Sequence, residues 1–525
     1  MFLPYSFFLF SCNSSHDSFR DNKIFTYNQV SDISSLDPAF SSLLSNIWAV
    51  NQLYNGLVQL DSNSKITPCI ATNWTINTKG TEYTFHLRTD IYFNNDSCFA
   101  ENKPRKVKAA DVVYSFNRII NSLVASPGSW IFKDKIDSGN GFVALNDSTF
   151  QLKLRKPFAP MLYILTMKYC SIIPHEAIER YGGNFRIHPV GTGPFYLKYW
   201  NEGVAMLLLR NDHYFETNAD ENIPFVHGVF ITFIDSRSTE FLKFKSGELD
   251  YLSDVDPAFK SNLFTGAGQL NKYWTGKVNF KKFVFLNTEY IGFNVKDSST
   301  KNPFADEQLR HAISYGIDKE SICTYLLHGI GVPAVHGFIP FGLRGFDVNQ
   351  IKGYAYNPSL AEKLAAPFHH VRLTLNCSPD NEGICNFAAA DLREIGLNVQ
   401  VITVQPKALN QMMVKGETAF FRGSWVADYP EPENFLACFY SGYGAPPDYS
   451  RFHNRTYDSL YEQSLATIND SVRGDVYKEM DQLMIDQAPV IPLYYDEGIE
   501  LTQPYISGLL VNSTGLLDLR HVRIN

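Results

Sequence analysis

The sequence predicts a folded α/β protein with more than one domain, and three observations lead to this class. The chain has 525 residues, and one hydrophobic core stops growing well below that length, so roughly two to four structural domains are expected. Apolar residues make up 45% of the chain and charged residues 19%, which is typical of globular proteins. Between residues 371 and 404 a strand, a helix and a second strand follow each other. This order predicts an α/β domain with a largely parallel sheet.

The first half of the chain alternates predicted strands and helices. Apolar residues at helical spacing predict helices at 47–57, ended by Gly56, and at 111–123. Asp235 begins a further helix that ends at Ser246 and Gly247. Alternating or short apolar runs predict strands at 83–87, 150–154, 204–209 and 229–233.

The second half gives clearer helix boundaries. Asp306 and Asp318 are predicted N-caps, and Pro358 occupies the first turn of a helix. A helix at 386–395, two more between 457 and 487, and a buried strand at 489–495 complete the pattern. Since no flexible, low-complexity linker occurs, we expect the domains to be joined by paired chain crossings.

Composition and missing motifs exclude several functions. The net charge is −8, the pI is near 5.9 and no basic run occurs, so nucleic acid is not a predicted partner. The zincin, P-loop, nucleophile-elbow and C-x-x-C motifs are all missing from the sequence. We therefore predict no metal, no cofactor and no catalytic activity, and keep a secreted hydrolase as a remote alternative. Aromatic residues form 14% of the chain, which suits a cleft that binds ligands by apolar contact.

Residues 1–19 are interpreted as an export signal, a lipoprotein leader and a tether. The apolar run before Cys12 is too short to cross a bilayer. Leu9-Phe-Ser-Cys12 resembles a bacterial lipobox, which predicts lipidation of Cys12 and attachment to a membrane at the cell envelope. The usual basic segment is missing, because Arg20 is the first basic residue. An ordinary apolar N-terminus is the alternative.

The remaining seven cysteines give no metal or redox pattern. Cys377 and Cys385 are close enough in sequence to close a short loop in an oxidising compartment. An odd total leaves at least one thiol free, and we predict no disulfide.

The stretch 422–435 is the most informative candidate for a ligand site. It follows a predicted strand at 418–421 and is expected to be a loop, in which Trp425 and Tyr429 flank the carboxylate of Asp428. Two nearby prolines stiffen the backbone. A carboxylate between two aromatic rings is partly desolvated and needs a cationic partner, either Arg422 or the ammonium group of a ligand. The alternative is a surface turn in which the carboxylate accepts hydrogen bonds from nearby backbone amides.

An ordered series of blocks resembles the family 5 extracellular solute-binding proteins, the dipeptide and oligopeptide receptors of bacterial ABC importers. The blocks extend over nearly 500 residues and occur in the order found in that family. They are Leu36-Asp-Pro38, Tyr54-Asn-Gly-Leu-Val58, Pro68 to Trp74, Tyr83 to Arg88, Ala110 to Phe116, Pro189-Val-Gly-Thr-Gly-Pro-Phe195, Gly247 to Asp250, Gly292-Phe-Asn294, Arg310 to Asp318, Trp425-Val-Ala-Asp-Tyr429 and Pro489 to Tyr495.

The resemblance implies a fold like that of the class II periplasmic binding proteins, with three lobes. A hinged ligand cleft is expected between lobes I and III. The expected limits are 20–57, 191–286 and 496–525 for lobe I, 58–190 for lobe II and 287–495 for lobe III. The glycine block at 191–193 is interpreted as a turn that enters a strand.

The resemblance also implies a function and a site. Asp428 is expected to pair with the α-ammonium of a peptide, and Trp425, Tyr429, Arg422 and Tyr54 complete the expected ligand-binding set. Some oligopeptide receptors carry an arginine for the ligand carboxylate where this chain has methionine 413, so no residue is assigned to that group. Permease and ATPase subunits of an ABC importer are the expected partners of a monomeric receptor. The same family includes receptors for nickel chelates, haem and oligosaccharides, which remain alternatives.

Overall fold

The computed structural model describes residues 19–137, 139–219, 221–296 and 302–525. The predicted leader and its Cys12 lie outside the described residues. Within the described ranges, no helix combines the length and the apolar character that crossing a bilayer requires.

A large mixed sheet forms the backbone of the molecule. Eleven strands of the described residues belong to it. In spatial order, ten of them are Asn398–Thr403, Arg372–Cys377, Phe420–Val426, Asn279–Phe293, Val490–Thr502, Tyr251–Leu252, Ile24–Asn28, Gly228–Thr232, Ala205–Arg210 and Phe195–Asn201. The last, Val332–Pro333, pairs with Val490–Thr502 from the side.

Smaller sheets and the helices cover this frame. A four-stranded sheet has the order Ala71–Ile76, Glu82–Leu87, Thr149–Lys153 and Phe142–Asn146. Two-stranded pairs are Val58–Leu60 with Ile66–Pro68, Thr217–Asn218 with Glu221–Asn222, Ile506–Ser507 with Arg523–Ile524, and Leu510–Val511 with Leu517–Asp518. The α-helices are Leu44–Leu53, Ala109–Ile120, Met161–Ile164, His175–Tyr181, Arg237–Ser246, Pro257–Leu263, Glu307–Gly316, Lys319–Ser321, Pro358–Ala365, Glu382–Glu394, Pro406–Lys415, Pro432–Leu436, Arg455–Ala466 and Asp470–Gln487.

The prediction of a largely parallel sheet is wrong. Strand Arg372–Cys377 is parallel to its two neighbours, and Ile24–Asn28 is parallel to its own two. The other pairings of the large sheet are antiparallel, among them the long pair Asn279–Phe293 and Val490–Thr502. The strand–helix–strand pattern was therefore a correct guide to one part of the sheet only. The two long strands come from segments about 200 residues apart, and local sequence carries no signal for their pairing.

Several helix capping signals were reliable guides, but Gly56 was not, because the first predicted helix spans Leu44–Leu53 and has Tyr54 as its C-cap. Asp306 and Asp318 cap helices through backbone amides of Gln308 and Ser321, as predicted. Gly247 ends its helix in the left-handed conformation, with a φ of 85°. That helix is capped by Ser236 instead of Asp235.

The turn at 191–193 enters the strand Phe195–Asn201, as predicted. A Cβ atom on Gly191 would lie 2.1 Å from the carbonyl oxygen of Leu53. The N–H group of Gly193 donates to the same oxygen at 3.0 Å. Glycine is needed here because two backbones meet without room for a side chain.

The strands Asn279–Phe293 and Val490–Thr502, called the crossing strands below, connect the two halves of the large sheet. Their pairing register is interrupted between Val284 and Thr288. In the interruption, Leu286 donates its N–H group to Ser513 at 2.8 Å and accepts the N–H group of Ala427 at 2.8 Å. The backbone at the break therefore links the C-terminal tail to the chain just before Asp428.

Buried apolar residues divide into separate cores on the two sides of the crossing strands. One large core combines residues from 25–251 with tail residues 506–522. Two further cores are formed by residues between 286 and 494, and a smaller one joins residues 241–278 to Ile330 and to Ile499 and Leu501 of a crossing strand. We refer to residues 19–286 with 503–525 as the outer body, and to residues 287–495 as the central body. The precise lobe limits given above stay predictions.

Candidate functional site

Asp428 follows directly on a strand of the large sheet. That strand, Phe420–Val426, pairs with Asn287–Phe293 of a crossing strand. The sequence had placed residues 422–426 in a loop, but they extend the strand, because the crossing strand offers them a continuous antiparallel partner. The loop proper is therefore residues 427–431, called the Asp428 loop below, and the helix Pro432–Leu436 follows it.

Asn434 fixes the geometry of the Asp428 loop. Its buried Oδ1 atom accepts a hydrogen bond from the indole nitrogen of Trp425 at 3.1 Å and another from the N–H group of Asp428 at 3.3 Å. One buried amide thus holds both residues in place. Sequence reasoning missed Asn434, although it stands at the start of a proline-led helix, where such side chains often face the preceding turn.

The carboxylate of Asp428 is open to solvent but closely surrounded by protein. Burial raises the pKa of Asp428 to about 6, the nearby Asn434 amide opposes this increase, and the negative charge of Glu433 adds to it. Among the described residues, no lysine, arginine or histidine forms an ion pair with Asp428. A desolvated carboxylate with that environment favours a cationic group from outside the chain.

The outer body faces this carboxylate with Tyr169. Burial, and then the charge of Asp428, raise the pKa of the Tyr169 hydroxyl to about 12, while a hydrogen bond with Ser42 opposes the increase. A Cβ atom on Gly128 would lie 2.4 Å from the Tyr169 ring, so only glycine permits this close packing. Asp428 therefore lies where the central body meets the outer body. No local sequence pattern indicates Tyr169 or Ser42 as neighbours of Asp428.

Tyr429 carries the contact between the two bodies. Its ring is buried in the core of the outer body. Its hydroxyl donates to Glu433 at 2.6 Å, and the hydroxyl of Tyr461 donates to the other oxygen of the same carboxylate. Burial raises the pKa of Glu433. A second contact is the hydrogen bond from the N–H group of Ala159 to the carbonyl oxygen of Leu465, at 2.9 Å.

Arg422 lies away from Asp428 and is not its partner. The guanidinium group is buried in the sheet and forms an ion pair with Glu289 of the crossing strand. It also donates to the carbonyl oxygen of Tyr290 at 3.0 Å and to the hydroxyl of Tyr494 at 3.3 Å. The partner was not predictable locally, since Glu289 lies 133 positions earlier in the chain. This pairing gives Arg422 a structural role in the sheet.

Tyr54 also lies in the protein interior. Only 1% of its surface is exposed. The turn at Gly191 packs on it, so that a Cβ atom there would lie 2.6 Å from the ring. The structure brings together Trp425, Asp428 and Tyr429 at the boundary of the two bodies, and it leaves Tyr54 in the core of the outer body.

The crossing strands place two carboxylates beside the strand Phe420–Val426. Asn287 donates to Glu289 at 2.8 Å and to Asp496 at 3.3 Å, and Ser424 donates to Glu289 at 2.9 Å. Burial, and then the charge of Glu289, raise the pKa of Asp496 to about 6. Arg422 already pairs with Glu289, so Asp496 is the carboxylate of this group that lacks an ion pair among the described residues, and its charge suits a positively charged group.

In the described part of the chain, no cluster of three or more histidine, cysteine or acidic side chains is placed to hold a metal ion. The seven cysteines of the described ranges are free thiols, including Cys377 and Cys385.

Comparisons with known proteins agree with this architecture. Residues 65–447 match the family model described as bacterial extracellular solute-binding proteins, family 5 middle. A dipeptide-binding protein of Escherichia coli is 24% identical over 502 residues, covering 90% of this chain and 89% of that protein. Heme-binding protein A of Haemophilus influenzae is 25% identical, covering 88% of this chain and 85% of that protein.

A solved structure gives the same fold. The periplasmic binding protein DppA of Helicobacter pylori, in complex with the peptide STSA, has a TM-score of 0.76 and 24% identity. The match covers 95% of this chain and 98% of that structure. The fold is therefore that of the periplasmic binding proteins, as predicted. Because the family model extends over most of the sequence, the chain belongs to the bacterial extracellular solute-binding proteins of family 5.

Proposed function

We propose that this protein is the peptide receptor of an ABC importer, and that it binds di- or oligopeptides where the Asp428 loop meets the outer body. The observation that carries the proposal is the Asp428 carboxylate, which is accessible, partly desolvated and without an ion pair among the described residues. The α-ammonium group is common to all peptides with a free amino terminus. A receptor for many peptides gains affinity by binding this shared group instead of particular side chains.

The surroundings of Asp428 support the same ligand class. Ser424 donates to Glu289, and Asn287 links Glu289 to the half-buried carboxylate of Asp496. Because Arg422 balances the charge of Glu289, the charge of Asp496 is the one that attracts the cationic end of a peptide. Trp425 adds an aromatic surface of fixed orientation, because Asn434 holds its indole nitrogen. The end of the ligand that carries the carboxylate has no assigned partner.

The direct test is calorimetry of the purified protein with a mixed pool of di- to pentapeptides. We expect saturable binding heat and recovery of intact peptides after incubation, since we also propose that the receptor has no catalytic turnover. No binding heat from any peptide would reject the proposed ligand. Steady release of free amino acids would instead support a hydrolase.

Haem is the second candidate ligand, because one relative of similar identity is named a heme-binding protein. An absorbance titration with haemin distinguishes the two. If haemin binds tightly and peptides do not, the ligand assignment changes and the receptor function remains.

We further propose that the receptor acts as a monomer at the extracytoplasmic face of the membrane, delivers its ligand to a permease with ATPase subunits, and is anchored through lipidated Cys12. The lipobox-like sequence supports the anchor. The mass of the N-terminal peptide from membrane-extracted protein tests it, because an unmodified peptide would exclude the anchor.

A further inference from the structure

A cavity lies in the outer body, apart from the Asp428 loop. It has a volume of about 600 Å³ and is called the junction cavity below. Its lining residues lie between 51 and 88, at Lys168, at 215–217 and Ile223, and between 510 and 521. Within the described ranges no residue of the central body lines it, so contact between the two bodies does not form its walls. Its size is within the range of small-molecule sites in proteins.

Among the described residues, the charged groups on the wall of the junction cavity have ion-pair or hydrogen-bond partners within the chain, with one exception. Arg520 forms ion pairs with Asp518, at 2.6 Å, and with Glu216. Arg88 forms an ion pair with Asp90 at 2.7 Å. These two cations therefore have their charges balanced within the protein.

The acidic Asp61 on the wall is also satisfied by the chain. Its carboxylate accepts the N–H groups of Asn63 and Lys65, each at 2.9 Å. Both bonds lie within its own turn and end on the same oxygen, Oδ1, so the loop fixes the position of this carboxylate.

Lys168 is the exception. Among the described residues, its ammonium group has no hydrogen bond and no ion pair, although it is part of the cavity wall. Burial lowers its pKa to about 8; the neighbouring Cys69 opposes this, Arg520 adds to it, and the more distant charge of Asp518 opposes it without forming an ion pair. At neutral pH the group is therefore still mostly charged. A charge that is partly removed from water without a partner is unfavourable, and such charges are usually paired.

We propose that the junction cavity binds a small solute through a carboxylate or phosphate group held by the Lys168 ammonium. Neutral polar residues that also line the cavity, such as Asn51 and Thr217, suit the remainder of a polar solute. The junction cavity is separate from the proposed peptide site, since none of its lining residues belongs to the Asp428 loop. Occupancy of the two sites can therefore be measured independently.

Calorimetric titration with inorganic phosphate and, separately, with citrate tests the site, with chloride holding the ionic strength constant. Saturable binding of either anion is expected. The anion that binds more tightly shows whether the cavity prefers a phosphate or a carboxylate group. Lys168→Met should weaken that binding roughly tenfold to hundredfold, the range for loss of a charge-assisted hydrogen bond. Lys415→Met, at an exposed lysine of the central body, and Asp428→Asn should leave it unchanged. Absence of saturable binding for both anions, or equal affinity in Lys168→Met, would overturn the proposal.

A second measurement needs no substitution in the cavity. Lysines of the wild-type protein are acetylated with acetic anhydride and the modified peptides are quantified by mass spectrometry. The anion that binds should slow acetylation of Lys168 and not that of Lys415. Equal rates at Lys168 with and without a saturating anion would overturn the proposal, whatever the state of the peptide site.

Discussion

Replacement of Asp428 by asparagine gives the sharpest test of the site. The change keeps the size of the side chain and removes its charge. The carboxylate has no ion pair among the described residues, so an incoming ammonium would form a new charge-assisted hydrogen bond, worth about 1.5–3 kcal/mol. Because the side chain is accessible to solvent, we expect the lower half of that range. A peptide with a free amino terminus should then bind the variant roughly ten- to fortyfold more weakly.

The assay compares a peptide with its N-acetylated form, by calorimetry, on the wild type and on Asp428→Asn. The acetylated peptide has no ammonium group, so its affinity should change little. Asp475→Asn, at an exposed carboxylate of the central body, is the matched control and should leave both affinities unchanged. Equal losses for the free and the acetylated peptide would refute the reasoning and make Asp428 a structural turn residue.

The pH dependence provides a second readout of the same pair. The pKa of Asp428 is raised to about 6, so the carboxylate is ionised above that pH and becomes neutral below it. The α-amino group of a peptide has a pKa of about 7.7–8.0. Affinity should be highest between these two values and should fall as the pH drops through 6. Asp428→Asn should not show this loss of affinity below pH 6. If the variant loses affinity in the same way, another group titrates in that range.

Two further substitutions test the structural roles. Arg422→Met leaves the half-buried Glu289 carboxylate without its guanidinium, and we expect the free energy of unfolding to fall by about 3–5 kcal/mol in urea denaturation; unchanged stability with weaker peptide binding would make Arg422 a ligand residue. Asp481 accepts the N–H group of Phe338 at 2.8 Å, and burial raises its pKa from 3.8 to about 7. The folded protein therefore gains stability from this group as the pH falls from 7 towards 4. The stability of the wild type relative to Asp481→Asn should therefore rise by up to about 4 kcal/mol over that window, and parallel pH profiles of the two proteins would contradict it.

The sequence was informative where structure is set by neighbours along the chain. The caps at Asp306 and Asp318 depend on atoms two or three residues away, and they were predicted correctly. The prediction ended the strand before Trp425, which the structure includes in it. The full length of the strand depends on a partner strand more than 130 positions distant.

The same difference between local and long-range contacts decided which residues of the site were predicted. The Asp428 stretch was recognised because its residues are consecutive. Tyr169, from the outer body, and the Glu289 partner of Arg422 were missed, because their proximity arises only in the folded chain. Position in a family block did not reveal that Tyr54 is buried.

The interruption in the crossing strands has a consequence for motion. Between Val284 and Thr288 the ladder of hydrogen bonds joining these strands is broken. A sheet bends most readily where its ladder is already open. Rotation of one body against the other would therefore concentrate there, and the link from Leu286 to Ala427 would carry the Asp428 loop with it. Amide hydrogens at the break should then exchange with deuterium faster than those of the regularly paired segments on either side, and a bound ligand that joins the two bodies should slow them.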